Sequence, residues 1–179
     1  MLRADIRRLL GKEEKRTWRA KLMTCLREWH KHPGFGAVLV YRYGQWADYE
    51  CPRVFRWFLL PLYYLLYNAV RFTLHIELPH RARIEGGLRI YHYGGIIIHQ
   101  KFVAGRGLTL NQGVIVGENE GVPAFGDNVV VNPRAVIFGK VTIGDNTVIG
   151  AGAVVTKSFG GDCIVAGIPA KIIAQKTPV

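Results

Sequence analysis

Two histidines, His92 and His99, stand seven residues apart in the stretch IYHYGGIIIHQ, Ile90 to Gln100. An imidazole with its ordinary pKa of about 6.5 can take a proton from a poor nucleophile such as a hydroxyl at neutral pH. It can also ligate a metal, or sit hydrogen-bonded in a core. Metal binding requires convergent partners, and His30, His32, His75 and His80 show no recognisable ligand spacing. The three cysteines, Cys25, Cys51 and Cys163, are scattered and odd in number. Neither a zinc site nor a disulfide framework is indicated, so no metal is expected and a reducing compartment fits best. What His92 and His99 do then depends on the backbone that carries them.

That backbone is announced by a repeat. Apolar residues recur every six positions at Ile84, Ile90, Ile96, Phe102, Leu108 and Val114. After a break they recur at Phe125, Val131, Ile137, Ile143, Ile149 and Val155. A period of six is neither helical nor simple strand alternation, and it marks a parallel β-helix. Three hexads close one triangular coil, which predicts that residues 18 apart stack on adjacent rungs about 4.8 Å apart. Gly, Asn and Asp in IGDNTV, IGAGAV and FGDNVV suit the left-handed backbone of the corners. His92 is the third residue of its hexad and should face outward, as should His99. The break, one residue short of two hexads, predicts a loop over residues 117–124 rooted one rung from His99.

The first 76 residues read differently. RADIRRLL and RTWRAKLMTCLREWH space apolar residues three and four apart and predict helices. KHPGFG reads as a loop. AVLVYRYGQWADY and RVFRWFLLPLYYLLYNAVRF predict two further apolar helices, the second started or kinked by Pro61. The sequence thus divides into a helical module, 1–76, a β-helix, 77–173, and a short tail, 174–179. No secretory signal is read at the N-terminus. The longest near-apolar run, Trp57 to Val70, has 14 residues, short of the roughly 20 a spanning helix needs. Net charge is +11, of which residues 1–89 carry +9 (17 Lys/Arg against 8 Asp/Glu). This basic half is either a solvated face or a surface for an anionic membrane or polyanion. Nucleic acid is not expected, since no recognised nucleic-acid-binding motif accompanies the charge.

The segments IYHYGGIIIHQ, GLTLNQGVIVG, VTIGDNTVIGAGAVVTK and VAGIPAKII resemble the hexapeptide-repeat acyltransferases. Within them the chain is similar to the serine acetyltransferase branch and its relatives that O-acetylate capsular and colanic-acid-type sugars. The resemblance implies an all-β left-handed parallel β-helix behind an α-helical N-terminal module, a homotrimer, and acetyl-CoA in the groove between subunits. It also implies direct acetyl transfer with His92 as general base and Glu77, in place of the more usual Asp, orienting it. A carboxylate on the second ring nitrogen fixes the tautomer and stabilises the imidazolium. His99 is expected to be either a substrate contact or a structural residue. For acetyl-CoA the resemblance suggests backbone contacts from Pro133, Ala151 and Gly152, with Lys157 and Lys171 on the phosphates. Turn geometry alone would equally account for the glycine and alanine.

The acceptor is read from two departures. The branch's serine enzymes carry an acid where this chain has Tyr91, and a histidine where it has Val122. Both changes remove charge partners for a zwitterion, and a tyrosine ring suits a sugar. The expectation is therefore a saccharide hydroxyl, on a nucleotide-linked, lipid-linked or polymeric sugar of surface polysaccharide synthesis. L-serine is then expected to be a poor substrate. The enzyme would be cytoplasmic, or peripheral on the inner face of the membrane. The alternatives are serine O-acetylation for cysteine biosynthesis, and a non-catalytic β-helix scaffold that binds a membrane or polyanion.

Overall fold

The computed structural model describes residues 1–10 and 34–176. The helix expected over residues 16–30, with Cys25, His30 and His32, lies outside the described residues. So does the first half of the KHPGFG loop. The second half of that expected loop is helical, because Gly34–Gln45 forms one helix.

Among the described residues three α-helices come first: α1 (Leu2–Leu10), α2 (Gly34–Gln45) and α3 (Arg53–Leu74), with a single π-helical turn, Trp46–Glu50, after α2. Pro61 neither starts nor breaks α3, which runs through it for 22 residues. A proline deprives only the Trp57 carbonyl of its partner. Both residues are exposed, so water can take that bond.

The remainder is a parallel β-solenoid of about four turns. The first sheet stacks β1 (Ile76–Glu77), β4 (Ile96–Ile98), β7 (Ile115–Gly117), β10 (Val136–Phe138) and β13 (Val154–Val155). The second stacks β2 (Arg83–Ile84), β5 (Val103–Ala104), β8 (Ala124–Phe125) and β11 (Thr142–Ile143). The third stacks β3 (Arg89–Ile90), β6 (Thr109–Leu110), β9 (Val130–Val131), β12 (Val148–Ile149) and β14 (Cys163–Gly167), and ends in an antiparallel strand, β15 (Ala170–Gln175). Ala174 and Gln175, which the sequence reading left in the tail, pair with Ile164 and Cys163.

All twelve residues of the six-residue repeat are buried. The register corrects their stacking. On the upper rungs partners lie 20 apart, as in Ile84 with Ala104 and Ile90 with Leu110. From β4 to β7 the spacing is already 18 (Ile98 with Val116), across the loop it is 21 (Leu110 with Val131), and below the loop it is 18 again (Val131 with Ile149). Two extra residues therefore enter the coil between β3 and β4. The inward ladder moves from Ile90 to Ile98, and Ile96 takes the second inward place. Sequence periodicity hides this slip, because both places in the hexad are apolar. The insertion falls in the corner that holds His92.

The helices close the upper end of the solenoid. Gly34 lies so near the coil that a Cβ there would fall 2.6 Å from the Ile90 side chain. The Asp5 carboxylate on α1 accepts the backbone N–H groups of Gly87 (2.7 Å) and Leu88 (2.8 Å) and the Arg42 Nε–H (2.7 Å). Arg42 on α2 also donates to the Ile84 and Glu85 carbonyls, both at 2.7 Å. Backbone groups that an open coil end would leave unpaired are thus satisfied by side chains, the requirement for capping any solenoid.

Candidate active site

The corner between the third and first sheets collects most of the expected site residues. Its rungs are joined by backbone bonds: Gly113 N–H to the Gly94 carbonyl (2.8 Å), Arg134 N–H to Gln112 (2.9 Å) and Gly152 N–H to Pro133 (2.9 Å). Gly95, Gly113, Arg134 and Gly152 all turn this corner with positive φ, between 60° and 71°. That left-handed geometry is easy for glycine and costly for Arg134. A single column therefore holds His92 at its head, Gln112 next, then Pro133, then Ala151 and Gly152.

His92 is exposed, as its hexad position requires. Tyr91 is exposed beside it, and the Arg89 guanidinium lies over the Tyr91 ring, 4.0 Å from its centroid. Strand alternation puts Arg89 and Tyr91 on the same outer face, which makes this contact. Glu77 sits one rung above, opposite Ile97. Its carboxylate accepts from Arg71 Nε at 3.0 Å, so one chain alone does not bring Glu77 to His92.

The other expected residues lie elsewhere. His99 belongs to the next corner, between the first and second sheets. Its Nε2 is 3.1 Å from Glu118 and its Nδ1 accepts the Lys101 N–H at 3.3 Å. Because Ile98 pairs with Val116, the loop roots beside His99 as expected. The loop occupies 118–123, since Gly117 and Ala124 are in strands, and Val122 packs against the core. Lys157 is on this second corner too, with Nζ 5.6 Å from the Phe159 ring centroid. Lys171 is exposed on β15 opposite Ala166, at the foot of the His92 column. Among the described residues no three His, Cys, Asp or Glu side chains converge as a metal site would need.

Three features escaped the sequence reading. The Gln112 side-chain oxygen is buried without a protein partner among the described residues, one rung below the His92 corner. Glu118, the partner of His99, is a loop residue with no motif around it. His80 is buried where the helices meet the coil. Its backbone N–H donates to Tyr63 Oη (3.0 Å), and its Nε2 lies 3.1 Å from Asp48. Burial pushes the His80 pKa below its ordinary value, against the opposing pull of Asp48. A lowered folded-state pKa means the unfolded chain binds protons first as pH falls. Stability contributed here is therefore present above about pH 6.5 and lost below it. Urea unfolding of His80→Gln at pH 5.5 and 7.5 should show a smaller pH dependence than the native sequence. An unchanged dependence would remove His80 from the acid response.

Residues 125–157 match the family described as bacterial transferase hexapeptide (six repeats). A serine acetyltransferase of Synechococcus elongatus is 32% identical over 147 residues, covering 79% of this chain and 57% of the relative. The chain thus spans little more than half the length of that curated relative. Among solved structures, the Neisseria gonorrhoeae serine acetyltransferase in complex with serine has a TM-score of 0.75 at 24% identity, covering 97% of this chain and 67% of that one. The Brucella abortus enzyme in complex with coenzyme A has a TM-score of 0.74 at 23% identity, covering 99% and 68%. These likenesses support the hexapeptide-repeat transferase family, and the fold is theirs.

They also overturn the expected acceptor. The relatives are named serine acetyltransferases, not polysaccharide O-acetyltransferases, so the saccharide reading and the place in polysaccharide synthesis are set aside. The expectation that serine is a poor substrate falls with them. Tyr91 and Val122 lie at different corners, and the Arg89 guanidinium over the Tyr91 ring puts a cation where those two residues alone suggest none.

Proposed function

We propose that this chain transfers the acetyl group of acetyl-CoA to the hydroxyl of serine. The likeness to the Synechococcus enzyme over 79% of the chain carries this reading. The column that runs from exposed His92 to Pro133 and Gly152 supports it. His92 takes the hydroxyl proton as the serine oxygen attacks the thioester carbonyl. The C–S bond then breaks, and the departing CoA thiolate recovers a proton from the imidazolium. Backbone at Pro133, Ala151 and Gly152 accommodates the pantetheine arm, and Lys157 and Lys171 meet the phosphates. Lys157 belongs to the second corner, which supports a groove shared between copies and hence a homotrimer. Residues 77–173 form the acetyltransferase domain in this reading, and residues 1–76 close its end. In this reading the reaction runs in the cytoplasm.

Arg89 supplies what Tyr91 and Val122 withhold. Its guanidinium lies on the Tyr91 ring, and in this reading it binds the serine carboxylate. CoA-thiol release should depend on L-serine, from a particle roughly three times the 20.1 kDa chain mass. Arg89→Gln should raise KM for serine about tenfold with kcat little changed, as expected for loss of one charge-assisted hydrogen bond. A protein that binds acetyl-CoA and releases no thiol with serine would sink the acceptor assignment.

A further inference from the structure

Helix α3 carries an apolar stripe that no described residue covers. Val54, Phe58, Leu62, Leu65 and Phe72 recur at helical spacing along it. Phe58 is 77% exposed, Leu65 68% and Phe72 76%, and Trp57 beside the stripe is 84% exposed. Of the 22 residues only Tyr63 is fully buried. A soluble surface rarely leaves so many large side chains in water along one line. The helix is not long and apolar enough to cross a membrane.

The surroundings of the stripe say what would cover it. An open hollow of about 510 Å³ at the first half of α3 is lined by Arg53, Arg56, Trp57, Leu60, Pro61 and Tyr64. Its walls are apolar and its rim carries two guanidinium groups, so an acyl chain could enter beneath a phosphate. The 22 residues of α3 include three arginines, Arg53, Arg56 and Arg71, and no acid. The chain as a whole carries +11. Arg56 is paired with Asp48 at 3.6 Å and Arg71 with Glu77 at 3.0 Å, so among the described residues Arg53 is the helix cation left for a partner. Bringing copies together would set that charge, and the positive chain, against themselves, whereas an anionic bilayer neutralises them. Exposed Trp and Phe with flanking Arg are also the composition of helices that lie in the headgroup region.

We propose that α3 docks the protein flat on an anionic membrane, with the Phe58–Leu65–Phe72 stripe in the acyl boundary and Arg53 at the phosphates. The expected contact thus moves from the basic character of the first half to one helix face. The proposal stands independently of the acceptor.

The test places a photo-crosslinking residue at position 65 of the full-length chain. The chain is incubated with phosphatidylcholine vesicles, with or without 30 mol% phosphatidylglycerol. Crosslinks to lipid in the anionic vesicles, with co-sedimentation that falls as salt rises, are the expected result. Phe58→Glu with Leu65→Glu should weaken co-sedimentation about tenfold or more, since the two charges enter the apolar face. Circular dichroism and acetyl-CoA binding should be unchanged. Crosslinks to a second copy, or to residues 11–33, with none to lipid would assign the stripe to that occupant and overturn the proposal. Equal vesicle binding by the native and doubly substituted chains would overturn it as well.

Discussion

His92→Ala should lower serine acetylation by roughly 10²–10⁴-fold while leaving the fold intact, because general base catalysis contributes about that much. The side chain is exposed at its corner, so its removal empties no core volume. Acetyl-CoA affinity should not change, since the base would act on the hydroxyl and the proposed cofactor contacts, Pro133, Ala151 and Gly152, lie lower in the column. Loss in kcat with unchanged acetyl-CoA binding is what separates a base from a binding residue. Glu77→Gln should cost less than His92→Ala, because it removes orientation and not the proton acceptor. In one chain Glu77 is engaged by Arg71 at 3.0 Å, so its action on His92 requires a rearrangement or a neighbouring copy. Stopped assays of thiol release with purified variants measure both effects. A His92→Ala protein that turns over serine at the native rate would require another base.

The repeat made the solenoid legible in the sequence because inward positions must be apolar on every coil, and six on each side of the loop keep one phase. The same redundancy hid the two-residue insertion between β3 and β4. Most sides of the coil also bury an apolar residue two before the inward strand residue, so a slip of two lands on another apolar residue, as Leu88 with Ile90 and Ile96 with Ile98 show. The loop was legible because its length broke the count, and its contact with His99 follows from register alone. Helix type was legible in AVLVYRYGQWADY and RVFRWFLLPLYYLLYNAVRF. The start of α2 was not, because Gly34 and Gly36 read as loop residues. Gly34 serves close packing against Ile90 instead.

The site was only partly legible. His92, Pro133, Ala151 and Gly152 share a corner because the hexad count places them there. The Arg89 stack on Tyr91 follows from strand alternation but carries no motif. The buried Gln112 oxygen, the Glu118 partner of His99 and the His80–Asp48 contact join residues distant in sequence, where no local pattern can announce them. The acceptor was misread for a related reason. Tyr91 and Val122 were judged as isolated substitutions, while Arg89, two residues before Tyr91, supplies a charge to the same surface.

Asp5→Ala should destabilise the chain by about 3–5 kcal/mol, the usual cost of stranding one member of a buried ion pair. Asp5 is 1% exposed and Arg42 is 6% exposed, so water cannot readily replace the lost carboxylate. The substitution strands the Arg42 charge, and the Gly87 and Leu88 amides lose their acceptor at the same time. That is a large share of the roughly 5–15 kcal/mol that holds a typical domain together. Because the pair joins α1 and α2 to the first coil, the loss should be felt by the whole upper end. Arg8 on the same helix adds to this clamp, donating to the Gly87 carbonyl at 2.7 Å and Thr109 Oγ1 at 3.0 Å. A double variant, Asp5→Leu with Arg42→Met, should be less destabilised than the sum of its two single variants. It removes the stranded charge along with its partner. Urea unfolding followed by circular dichroism, at one fixed protein concentration, gives all three values. If Asp5→Ala unfolds within about 1 kcal/mol of the native chain, the helices are not what caps the solenoid.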